Sequence, residues 1–296
     1  MKMKFYYSIF LGLLILAGCD KIEPPYRTEA VVNDFCKTGI DDSVVHRKVL
    51  VEEYTGFLCG NCPAAGIYLN DTLKQTYGHC LITVSVHANF FAVPCGQTGG
   101  ACPGNQPAGA FLTDFRTTTG EDWYTTFGVP TNPLALVNRA GHGTPQFFVQ
   151  KSKWSTKISE QLALPADLKL SLQGVYNSST RNVAITAKST FINSLTGSYK
   201  LQVLLTEDSV TDWQEWYDHT PEYVSDYQHR HVLRDAINTT WGETIVSSSV
   251  SAGDVITKNY NYTVNGAWSD SRCHLVAFVY DATTYNVLQA EEISLK

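Results

Sequence analysis

The sequence predicts two successive folds: an α/β unit built on a parallel β-α-β crossover, and after it an all-β sandwich. Two observations carry this reading. Up to about residue 164, β-rich apolar runs alternate with a stretch of helical periodicity, as in Val49–Thr55, Ala64–Tyr77 and Leu81–Val86. Strands joined in this way are parallel and need a crossover helix. Beyond Pro165 apolar residues recur at every second position, as in Leu168, Leu170, Leu172 and then Val183, Ile185, Ala187. That is the period of a half-buried strand.

The first residues set the compartment. Lys2 and Lys4 precede an apolar stretch, Phe5 to Ile15, too short to cross a bilayer. It ends in Leu16-Ala17-Gly18-Cys19, which resembles a bacterial lipobox. The resemblance implies a signal peptide over residues 1–18 and acylation of Cys19, so that the protein is held to a membrane by lipid. Residues 19–44, with Pro24 and Pro25, then read as a tether. Loss of residues 1–18 removes two lysines and takes the net charge from −6 to −8. Such a balance argues against a nucleic-acid partner. No later apolar run reaches transmembrane length.

Within the α/β unit (residues 45–164), the strand Val49–Thr55 breaks at Gly56 and leads to Cys59-Gly60-Asn61-Cys62-Pro63. A cysteine at a helix N-terminus is favoured as thiolate by the unpaired N–H groups and partial positive charge there. A second cysteine three residues on shares its face and can resolve a mixed disulfide. A structural bridge is the competing reading. A zinc site is disfavoured, because no second C-x-x-C or H-x-x-H follows at finger spacing. After the second strand come a Gly/Pro-rich loop, Phe91–Pro107, and a helix expected from about Ala108 to Phe127. A strand at Leu134–Asn138, an edge strand at Pro145–Val149 and a closing helix at Lys151–Leu164 complete the unit. An exported chain permits disulfides. Cys95 and Cys102 are read as a structural pair, Cys36 with Cys80 as a possible bridge, and the pairing of Cys273 stays open.

From Val45 to Leu164 the chain resembles the thioredoxin superfamily, on the strand–CGNC–helix, on Glu53 six residues before Cys59, and on Val129-Pro130-Thr131. The resemblance implies catalytic roles for Cys59, Cys62 and Glu53, with Glu53 accepting the proton of the resolving Cys62. It also implies a cis-proline loop at Pro130, where Val129, with Gly60 and Asn61, meets substrate. A carboxylate buried on such a strand has a raised pKa, and Glu52 must face the other way. Leu58 and the Gly60-Asn61 dipeptide depart from the usual thioredoxin residues, and the long insertion around Cys95 to Pro107 bears on access.

Residues 165–296, with strands every ten or so residues and turns such as Val264-Asn265-Gly266, read as an immunoglobulin-like sandwich. Asp212–Asp226, rich in aromatics and acids, reads as a long inserted loop. In Tyr227-Gln228-His229-Arg230-His231-Val232-Leu233-Arg234, the two histidines share a face if the segment is a strand, but no third metal ligand is evident. This octapeptide, with the lipobox, the CGNCP and the β-rich tail, resembles the Omp28 family of outer-membrane lipoproteins of Bacteroidetes. That resemblance implies a lipid-anchored protein of the cell envelope, at the outer membrane. Two functions stay in contention: a membrane-anchored thiol–disulfide oxidoreductase acting on proteins, or a surface lipoprotein that binds protein, glycan or host through a redox-inert scaffold. No metal and no cofactor is expected.

Overall fold

The computed structural model describes residues 34–38, 44–100 and 102–296. The expected signal peptide, Cys19 and most of the tether lie outside the described residues. A short α1 (Asp34–Thr38) precedes β1 (Val49–Thr55). The helical run after the C-x-x-C consists of α2 (Cys62–Ile67), a π-helical stretch Tyr68–Leu73, and α3 (Lys74–Tyr77). β2 (Leu81–His87) then lies parallel to β1, with Glu53 beside Ser85 and Thr55 beside His87. After α4 (Thr118–Phe127), β3 (Leu134–Val137) runs antiparallel along the other edge of β1, and α5 (Trp154–Leu162) follows.

Within the α/β unit, two elements differ from expectation. The helix expected from Ala108 starts only at Thr118, because Thr117 caps it by accepting from the Gly120 N–H at 2.9 Å. Upstream, Gly109 and Phe111 hold positive φ angles of 82° and 59°, which no helix tolerates. The strand expected at Pro145–Val149 is reduced to one bridge, Ala135 with Val149.

Beyond Pro165 follow β4 (Leu168–Asn177), β5 (Asn182–Phe191), β6 (Leu195–Thr196), β7 (Tyr199–Glu207), β8 (Val210–Glu215) and β9 (Tyr223–His229). Next come β10 (Val232–Ala236), β11 (Glu243–Val246), β12 (Ser249–Val250), β13 (Val255–Thr263), β14 (Cys273–Asp281) and β15 (Val287–Ser294). The largest sheet has the order β15-β14-β7-β10-β2-β1-β3, with β11 added beside β7. It therefore crosses Pro165, where a domain boundary was expected, and joins both halves through β10 and β2. Val232 pairs with Ser85 at this seam, and the Ser85 N–H donates to the His231 carbonyl at 2.9 Å. A second sheet, β13-β5-β4, lies over the C-terminal half of the first. Leu168, Val183, Ile185, Val203, Leu275 and Ala277 fill the space between them, as the period-two pattern requires. β6 pairs with β12, and β8 with β9, outside these sheets.

β1 is buried along its whole length, and its alternation sends Glu52 and Glu53 to opposite faces. Glu52 forms a fully buried ion pair with Arg139, whose Nε lies 2.7 Å from the carboxylate. The rings of Trp123, Phe127, Phe278 and Tyr280 surround that guanidinium at 4.6–5.4 Å. Glu53 faces the other way, under α2.

Candidate functional site

Cys59 and Cys62 form a disulfide at the end of β1. A tight turn shapes the segment: the Cys59 N–H donates to the Gly56 carbonyl at 3.0 Å and the Cys62 N–H to the Cys59 carbonyl at 2.9 Å. Pro63 sits in the first turn of α2, where its missing N–H costs nothing. Among the described residues the other bridges are Cys36–Cys80 and Cys95–Cys102, and Cys273 is a buried free thiol.

Glu53 is 2% exposed and stands on the α2 side of β1. Its Oε2 accepts from the Ser85 hydroxyl at 3.4 Å, and its Oε1 has no partner. Burial pushes its pKa up to about 8, with the Ser85 hydrogen bond pulling weakly the other way. Gly66 on α2 lets these groups approach. A Cβ there would stand 3.2 Å from the Tyr227 hydroxyl and 3.9 Å from Glu53 Oε1. A cavity of about 20 Å³ lies behind the disulfide, lined by Glu53, Thr55, Cys62, His87, Tyr227 and His229 among others.

The loop expected over Asp212–Asp226 is instead the β8–β9 hairpin, and it lies across the disulfide. The Glu215 N–H donates to the Phe57 carbonyl at 2.8 Å and the Tyr217 N–H to the Gly60 carbonyl at 3.0 Å. The Gln214 amide donates to the Gly56 and Cys59 carbonyls at 3.3 and 3.2 Å. The Tyr217 ring is seated on Gly60 so closely that a Cβ there would fall 2.3 Å from it. Under this cover Cys59 is 3% exposed. The Cys95–Pro107 insertion flanks the hairpin. Cys95 and Cys102 pack with Phe57, Phe111, Trp213 and Tyr223, and Asn105 accepts from the Tyr223 hydroxyl at 2.9 Å.

The cis-proline expectation shifts by three residues. In this loop the cis bond is Asn132–Pro133, next to β3, and not Val129–Pro130. Gly128-Val129-Pro130 is taken up in ending α4. Gly128 adopts the left-handed conformation, its N–H donates to the Thr125 carbonyl, and the Val129 N–H donates to that of Tyr124. Val129 is accordingly buried in the core and Pro130 is exposed. Asn132, absent from the expected set, donates to the Thr55 carbonyl at 3.1 Å and ties the cis-proline loop to the end of β1. Asn61 is exposed beside the disulfide.

His229 and His231 do not converge. His229 meets the Trp213 carbonyl at 3.2 Å and the His87 ring, whereas His231 lies near Asp208 and Glu292. Sequence reasoning missed His87, Gln214 and Tyr217. For His87 a signal was present: Thr83, Ser85 and His87 are polar at alternate positions of an otherwise apolar strand, which puts them on one face.

Fold and site thus define a mixed α/β protein with a covered disulfide at the end of a parallel strand pair. A family model described as outer membrane protein Omp28 matches residues 121–296. The chain belongs to the Omp28 family of outer membrane proteins. It is similar to a solved domain of the outer membrane lipoprotein Omp28 from Porphyromonas gingivalis, at 22% identity. That match covers 44% of this chain and 89% of the other, with a TM-score of 0.31. The E. coli curli protein CsgC matches at 10% identity over 42% of this chain and 96% of its own, with a TM-score of 0.22. A β-glucosidase from Kluyveromyces marxianus matches at 13% identity over 49% of this chain and 17% of its own, with a TM-score of 0.23. No curated protein matches the chain.

Proposed function

We propose that this lipoprotein is a cell-envelope thiol–disulfide oxidoreductase acting through Cys59 and Cys62 on a thioredoxin-like framework, with the immunoglobulin-like strands beyond it orienting protein partners. The observation that carries the reading is Glu53: a buried carboxyl with a pKa of about 8, sharing one small cavity with Cys62. The β-α-β order, with β3 antiparallel beyond β1 and a cis-proline at its start, supports the framework.

In the reducing direction, the Cys59 thiolate attacks a substrate disulfide and expels one substrate thiolate. Glu53 takes the Cys62 proton, and Cys62 sulfur attacks Cys59 Sγ. The mixed disulfide breaks, the second substrate thiolate leaves, and Cys59–Cys62 re-forms with the two electrons now on the substrate. The oxidising direction is the same path reversed. For either, the β8–β9 hairpin must lift from Gly60.

The burial of Cys59 under that hairpin favours the second reading, a static bridge in a scaffold that binds protein, glycan or host surfaces. The deciding experiment is the reduction potential and Cys59 thiolate pKa of the mature lipoprotein in detergent. Exchange of Cys59–Cys62 with glutathione while the protein stays folded, with a depressed Cys59 pKa, is expected of the enzyme. Resistance to reduction until global unfolding would leave the scaffold.

A further inference from the structure

His87 is fully buried, and neither of its ring nitrogens makes a hydrogen bond of normal geometry, although the Ser85 carbonyl weakly raises its basicity. Glu53 Oε1 is likewise unpartnered. Parallel pairing sets Glu53 beside Ser85 and Thr55 beside His87, so all four side chains leave the sheet on the face beneath α2. Glu53 and His87 are then diagonal neighbours on one face of the parallel pair, with the His87 ring packed against Phe115 and His229. Both line the same cavity as Cys62. Its volume of about 20 Å³ suits a single water, and the unpartnered atoms of Glu53 and His87 are the polar partners such a water needs.

We propose that His87 is a positioning residue of the proton path: with Glu53 it holds one water beneath Cys62, and that water carries the proton between the Cys62 thiol and the Glu53 carboxyl. This rests on the oxidoreductase reading. The other ionisable groups facing the cavity or His87 are Tyr227, His229, Arg230 and Arg234. Burial, His229 and Arg234 hold His87 well below its ordinary pKa, so it is a neutral imidazole with one donor and one acceptor. As Cys62 loses its proton, the water relays it to Glu53, and the His87 N–H orients the water without changing charge.

The test follows Glu53 by ¹³C NMR in the full mature protein and, in parallel, the pH profile of the resolving step from a mixed disulfide at Cys59. Removing the imidazole in His87→Phe is expected to raise the Glu53 midpoint by about one pH unit, because the carboxylate loses a water-mediated donor. It is also expected to slow the resolving step about tenfold or more. His87→Gln, which keeps a donor and an acceptor, should restore most of both. An unchanged midpoint and profile in His87→Phe would overturn the proposal. Should His87→Phe not fold, the ¹⁵N shifts of the His87 ring in the unaltered protein must respond as Glu53 titrates, and no response overturns it equally. A response without any thiol exchange would sink the oxidoreductase reading and leave the Glu53–His87 link standing.

Discussion

Replacing Gln214 by leucine should unlatch the hairpin from the disulfide. Gln214 is 2% exposed, and its amide donates to the Gly56 and Cys59 carbonyls at 3.3 and 3.2 Å. Leucine is similar in size but has no donor. Each net hydrogen bond contributes about 1 kcal/mol, so the loss is about 2 kcal/mol of docking energy, more where a carbonyl stays buried. At about 1.4 kcal/mol per factor of ten, the open population rises about 30-fold. When opening and closing outpace attack, the reduction rate follows that population. The assay is reduction by dithiothreitol under native conditions, resolved by mass spectrometry for each bridge. Cys36–Cys80 and Cys95–Cys102 serve as internal references. Acceleration of about 30-fold confined to Cys59–Cys62 is expected. An unchanged rate would refute the hairpin as the barrier, and equal acceleration of all three bridges would show general loosening.

Gly60→Ala and Tyr217→Ala should act in the same direction by different routes. The first drives a Cβ into the Tyr217 ring and the second removes the ring, so both should speed alkylation of reduced Cys59 in the folded protein. Glu53 sets a pH dependence whose sign follows from its raised pKa. Between about pH 4.5 and 8 the unfolded carboxyl has released its proton and the folded one has not, so stability falls as pH rises through this window. Glu53→Gln should flatten that slope in urea titrations from pH 5 to 8 and leave the protein more stable at pH 8. Glu52→Ala should cost about 3–5 kcal/mol in urea unfolding, since the fully buried Arg139 loses the carboxylate it is paired with. Truncating Arg139 as well should recover part of the loss.

Much of this was legible in the chain. Glu52 and Glu53 were separable by alternation alone, and the C-x-x-C announced its own turn and helix. Val129-Pro130 and Asn132-Pro133 are both X-Pro pairs in one loop, and their assignment turned on a non-local fact. The Gly128 cap consumes the first, while the second abuts β3 with Asn132 bonded to Thr55. The hairpin was illegible for a related reason. Asp212–Asp226 carries mixed acids and aromatics with no clean period, because one of its faces packs on Phe57–Gly60, more than 150 residues earlier in the chain. The sheet seam at Val232 and Ser85 is likewise a long-range pairing that local pattern does not encode.

That seam bears on how the chain can be divided. A fragment beginning at residue 121, where the family match starts, would keep β10 and lose both β1 and β2. The β10 edge would then present unpaired N–H and carbonyl groups, with Val232 and Leu233 left facing water along it. Such an edge invites pairing with another chain. The complementary fragment would keep the cysteine pair and lose the hairpin that shields it. Neither half would be a self-sufficient module: one would tend to self-associate, and the other would carry an unguarded disulfide.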